Sequence, residues 1–98
     1  MAIGMIMEFD EFTPDMYEAV RDKINWPDDT PDGVHEHIAG PSERGMRIVE
    51  VWDSREEFDR WMTGTVQPAL QELYGDDLAS KPQPRFTEFE VRRQESLQ

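Results

Sequence analysis

Apolar and polar positions along the chain read as strand, helix, strand, strand, helices, strand. Ile3 to Phe9 is a nearly continuous apolar run ended by Asp10, the pattern of a strand buried on both faces. Thr13-Pro14-Asp15 starts a helix. The threonine caps free N–H groups, and the proline sits where no N–H is needed. Met16, Val20 and Ile24 then recur every four residues, with Tyr17 beside them, so one helix face is apolar. Pro27 and the polar run 28–33 end it.

Val34 to Ala39 and Met46 to Trp52 are β-rich runs joined by the turn cluster 40–45, a hairpin. Ser54-Arg55-Glu56-Glu57 is a capping box, in which Ser54 accepts from the N–H of residue 57 and Glu57 reaches back. Phe58, Trp61 and Met62 face the core from that helix, and Gly64 is expected to break it. Thr65 is placed to cap a further helix, with Pro68 in its first turn. Val66, Ala69, Leu70, Leu73 and Tyr74 form its apolar stripe, and Gly75 its stop. A loop with Pro82 and Pro84 leads to a last strand, Phe86 to Arg92. The domain is expected over 1–93, with 94–98 a frayed tail.

Two strand-helix-strand halves of this size predict an α+β, ferredoxin-like βαββ(αα)β fold, a four-stranded antiparallel sheet in order 4-1-3-2 with helices on one face. A sheet covered on one side only should alternate cleanly between apolar and polar. This one does not. Ile3, Met5, Met7 and Phe9 are apolar on one side of the first strand and Ile6 on the other. The third strand has Val49 and Val51 on one face, and Met46, Ile48 and Trp52 on the opposite one. A second copy of the sheet, packed through a two-fold axis, would cover the face the helices leave bare.

The segments Glu8 to Tyr17, His37 to Pro41 and Val49 to Phe58 resemble the dimeric α+β-barrel superfamily. The likeness is greatest to small bacterial proteins near the antibiotic-biosynthesis monooxygenases. It covers roughly residues 3–92. The resemblance implies a homodimer of two face-to-face sheets, with a cleft in each protomer between sheet and helices or inside the barrel. It also places Trp52 where monooxygenase and haem-degrading members carry a Trp at the end of the third strand. The first strand has no Asn, position 48 is Ile, and 55–74 contains no His, so Trp52 is the one residue of those enzymes' constellations carried over.

Composition narrows the function. Ten Lys and Arg stand against 22 Asp and Glu, for a net charge of −12 over 98 residues. That excess excludes a nucleic-acid backbone or an anionic membrane surface as the expected partner. There is no cysteine, which removes disulfides, thiolate nucleophiles and Cys-ligated zinc. The start of the chain lacks a basic segment and meets Glu8 early, unlike a signal peptide, so a cytoplasmic location is expected.

The candidate chemistry lies on the hairpin. His35 and His37 are the two histidines, and two residues apart on a strand they share a face. If Ala39 pairs with Met46, His37 falls opposite Ile48 and His35 opposite Glu50, with Trp52 on the same side. Assigning Val49 and Val51 to the helices points His35, His37, Glu50 and Trp52 into the barrel. Three readings compete: a hydrogen-bonded structural group, a ligand pocket in which His37 moves a proton, and a His-x-His metal site with Glu50 as third ligand. The expected function is binding of a small hydrophobic or aromatic molecule at these four residues, with no cofactor or metal. The alternatives are a cofactor-independent monooxygenase acting on an aromatic or polycyclic substrate, and a non-catalytic dimeric structural protein.

Overall fold

The structure is a computed structural model that describes residues 2–97. The order is β1 (Ile3–Asp10), α1 (Pro14–Ile24), β2 (Val34–Pro41), β3 (Gly45–Trp52), α2 (Arg55–Trp61), a π-helical turn (Met62–Val66), α3 (Gln67–Tyr74), a 3-10 segment (Gly75–Ser80) and β4 (Arg85–Glu90). The strands form one antiparallel sheet in the order β2-β3-β1-β4. This is the α+β, ferredoxin-like arrangement expected from the two strand-helix-strand halves.

Local signals account for most element ends. Thr13 accepts from the Met16 N–H at 3.1 Å, and Pro14 opens α1. Asn25 ends it in the left-handed conformation (φ 59°, ψ 43°), which Asn tolerates better than most side chains. Ser54 accepts from the Glu57 N–H at 3.2 Å. The other half of the capping box is not formed. The Glu57 carboxylate instead lies against Gly33, whose positive φ of 96° and missing Cβ leave it room.

Gly64 does not break the second helical segment. The backbone runs from α2 through the π turn into α3 with right-handed helical angles at Trp61, Met62, Val66 and Gln67. Thr65 lies within the π turn and caps nothing. One glycine costs a helix only about 1 kcal/mol. Burial of Met62 and Val66 against the core offsets a penalty of that size.

The sheet's facing is the reverse of the expected one. Met46, Ile48, Glu50 and Trp52 point at the helices and are buried. They join Met5, Met7, Phe58, Met62 and Val66 in the core. Val49 and Val51 point outward, in register with Ile6 and Gly4 of β1 and with Ile38 and Glu36 of β2. The larger residues of β3 fill the deep space between sheet and helices, and the valines remain on the thinner outer side. There Ile38 is 67% exposed and Phe89 45% exposed.

Candidate functional site

The β2–β3 register sits two residues from the expected one. Ala39 pairs with Ile48 and His37 with Glu50. A shift of two preserves facing, so His37 and Glu50 stay on one side. His35 does not stay with them. A β-bulge lies between Val34 and Glu36, and the extra residue breaks the two-residue alternation. His35 turns to solvent and bonds Asp53 Oδ1 at 2.5 Å, both side chains about half exposed. The two histidines therefore do not converge, and a His-x-His metal site is not formed. Among the described residues no group of three or more His, Asp or Glu is placed to hold a metal.

Among the described residues Glu50 is the one buried charged residue, with 0% exposure. A carboxylate there must be hydrogen-bonded to be tolerated. Its Oε1 accepts from the Trp52 indole N–H at 2.9 Å, and its Oε2 lies 2.7 Å from His37 Nδ1. With a carboxylate on Nδ1, that nitrogen carries the proton and Nε2 is left as an acceptor. Nε2 is met by the Tyr17 hydroxyl at 2.5 Å, and Arg21 Nη1 donates to the same hydroxyl oxygen at 3.2 Å. The result is one polarised chain: Trp52 and His37 donate to Glu50, Tyr17 donates to His37, and Arg21 donates to Tyr17.

Three elements hold this chain in place. Glu50 and Trp52 stand on β3, His37 on β2, and Tyr17 and Arg21 one turn apart on α1. The i, i+4 spacing lays the guanidinium over the phenol ring, 5.6 Å from its centre. The Tyr17 and His37 rings are nearly parallel (10°, centroids 6.1 Å apart). Trp26 packs against His37 at 5.0 Å and against Trp61 at 5.4 Å.

Beside the chain is a cavity of about 60 Å³. Tyr17, Arg21, His37 and Glu50 border it beside Met7, Phe9, Phe12, Trp26, Ile48 and Trp61, and the surface turned to the cavity is almost entirely apolar. The volume is about that of two water molecules, well below the ~300 Å³ at which drug-sized pockets begin. A second hollow of about 300 Å³ lies toward β4 and shares Phe9, Phe12, Met62 and Leu70 with the first. Those four side chains are the partition between them. A larger concavity, about 730 Å³, lies on the outer sheet face between Ile38, Val49, Arg47 and Arg85. None of the hydrogen-bonded chain borders it, and its open shape fits a covered sheet face better than a ligand site.

Of the four residues expected at the site, His37 and Glu50 line the cavity. Trp52 is fully buried behind Glu50, and His35 is outside. Tyr17 and Trp61, expected only as packing residues, and Arg21, assigned no role, also border the cavity. A signal for Tyr17 and Arg21 was present: a tyrosine on the apolar face of α1 with an arginine four residues on.

No protein-family model matches the chain, and no curated protein sequence matches it. Solved structures do. A candidate antibiotic biosynthesis monooxygenase from Deinococcus radiodurans superposes with a TM-score of 0.61 at 14% identity, over 100% of this chain and 99% of the other. The two chains share a fold. A second structure with this fold, a point variant of SnoaB, a cofactor-independent oxygenase from Streptomyces nogalater, superposes with a TM-score of 0.59 at 14% identity, over 95% and 94%. A third, a candidate antibiotic biosynthesis monooxygenase from Chloroflexus aurantiacus, superposes with a TM-score of 0.58 at 20% identity, over 96% and 98%. At these identities the monooxygenase likeness is one of architecture, and the chemistry has to be argued from the site.

Proposed function

We propose that the chain binds a small aromatic molecule between its sheet and helices, and that Glu50, His37 and Tyr17 together take a proton from it. The observation that carries this reading is the hydrogen-bonded chain ending on the wall of an apolar cavity. His37 cannot meet a ligand through Nε2 while Tyr17 occupies it, so the tyrosine hydroxyl is the group that the ligand touches. Tyr17 passes its proton to His37 Nε2 and receives one from an acidic O–H or C–H of the ligand. The imidazolium is held by Glu50, and the ligand becomes an anion. The ~60 Å³ cavity admits a ring only if the partition of Phe9, Phe12, Met62 and Leu70 moves toward the ~300 Å³ hollow. Unbranched Met and a π turn are suited to such movement.

A cofactor-independent oxygenase is the more specific reading, favoured by the fold shared with SnoaB and by a site built to make an anion. A ring carbanion can be oxidised by dioxygen directly. At a ring methylene the balance is CH2 + O2 → C=O + H2O, one oxygen entering the product and the other leaving as water. Phenols and anthrone, a tricyclic ketone with an activated methylene, are suitable probes. Binding should perturb the indole N–H signals of Trp26 and Trp61 in the NMR spectrum, and oxygen uptake should match carbonyl formed one to one. His37→Gln, which retains an N–H for Glu50, should abolish uptake. If none of these probes disturbs either indole, the pocket reading fails and the structural one stands.

The outer sheet face supports a homodimer. Ile6, Ile38, Val49, Val51 and Phe89 form an apolar patch there, edged by the Glu8–Arg47 pair. A second copy laid on this face would close the barrel without touching the hydrogen-bonded chain, which lies on the opposite side of the sheet.

A further inference from the structure

We infer that Arg21 selects the ligand, and that the ligand class is a small apolar ring compound bearing an oxyanion, carboxylate or phenolate. The inference rests on the pocket reading above and adds a charge to it. Among the described residues Arg21 is the only Lys or Arg that borders the cavity, in a chain of net charge −12. The remaining lining is aromatic and aliphatic apart from Tyr17, His37 and Glu50, and the Glu50 carboxylate is already bonded to Trp52 and His37. The Arg21 side chain is 29% exposed and bonded to the Tyr17 hydroxyl, so an anion approaching the cavity from solvent meets this positive group at its rim.

The guanidinium has capacity to spare. Arginine carries five N–H donors. Arg21 uses one on Tyr17 at 3.2 Å and has an ion pair with Glu18 at 3.7 Å. Glu18 is 66% exposed, so that pair is long, solvated and weak. A ligand carboxylate offers two oxygens to the planar fork, a geometry that competes well with such a partner. An anion formed in place by proton loss to Tyr17 would be held by the same group. Lys23, two residues on, pairs with Glu72 at 3.2 Å and does not line the cavity. It serves as the control for a general change in charge.

The test uses matched probes, 2-naphthoate and its neutral isostere 2-naphthamide, titrated into the full chain and followed at the Trp26 and Trp61 indole N–H signals. Wild type should bind the acid about tenfold or more tightly than the amide, the scale of one charge-assisted contact. Arg21→Gln should remove that preference by weakening the acid more than the amide, Arg21→Lys should restore part of it, and Lys23→Gln should leave it intact. Equal binding of both probes to wild type, or a preference that survives Arg21→Gln, overturns the role of Arg21 and leaves the pocket standing. Absence of binding by both probes overturns the pocket and the selectivity together. Unfolding curves for each variant separate loss of binding from loss of fold.

Discussion

His37 Nδ1 and Glu50 Oε2 lie 2.7 Å apart across paired positions of β2 and β3, and the Glu50 side chain has no exposed surface. A buried carboxylate with two N–H donors converging on it is a fixed anchor. It sets the His37 tautomer and, through it, the orientation of the Tyr17 hydroxyl.

Glu50→Ala should therefore be costly. It strands the Trp52 N–H and the His37 Nδ1–H in the core and leaves a void, together about 3–5 kcal/mol. Total stability for a chain of this length is about 5–15 kcal/mol. Glu50→Gln retains an acceptor and should lose about 1–2 kcal/mol. Urea unfolding of the two variants measures the difference, and equal small losses would contradict the anchoring role.

Tyr17→Phe should separate chemistry from folding. Two hydrogen bonds are lost, one to His37 and one from Arg21, together about 1–3 kcal/mol, and the ring packing remains. Any proton-transfer rate should fall about 100-fold or more. Oxygen uptake with anthrone, set beside a thermal melt, reads both effects.

Two glycines of the sheet should respond unequally to alanine. A Cβ at Gly45 would run into the backbone carbonyl of Phe9, which the paired strands hold in place, and Gly45→Ala should cost about 2 kcal/mol or more. A Cβ at Gly4 would meet the tip of the Phe89 ring, which is half exposed and free to swing away. Gly4→Ala should cost less than about 1 kcal/mol. Chemical denaturation of both variants tests the ranking.

Ile38 is 67% exposed at the β2 edge of the outer apolar patch. Ile38→Lys should turn a particle of twice the chain mass into one of single chain mass, with the hydrogen-bonded chain undisturbed. Sedimentation equilibrium at low micromolar concentration is the measurement. A wild-type monomer under those conditions would remove the dimer.

Burial raises the pKa of the Tyr74 hydroxyl above its ordinary value near 10. Above about pH 10 the unfolded chain loses this proton before the folded one does, so the unfolded state binds fewer protons and stability falls as pH rises. Tyr74→Phe should flatten that alkaline decline, as read from melting temperatures between pH 9 and pH 11 (an illustrative range of about two units around the ordinary value).

The order of elements, the antiparallel sheet and its strand order were legible in the chain because they follow from local period and capping. Met16, Val20 and Ile24 on one face, Thr13-Pro14 and Ser54 at helix starts, and Gly75 at a stop are statements about neighbours in sequence. That β1 and β3 have two apolar faces was equally visible. Which face of β3 meets the helices was not. Val49 and Val51 or Ile48 and Trp52 satisfy the same alternation, and only the depth of space under α2 and α3 favours the larger set. The bulge that removes His35 is invisible for a similar reason: an extra unpaired residue changes no local propensity, yet it reverses the facing of everything before it. Glu50 was expected opposite His35, and it pairs instead with His37. That Tyr17, twenty residues before His37, supplies the other end of its hydrogen-bonded chain was decided by packing α1 across the sheet, since a contact at that separation leaves no periodic trace in the sequence.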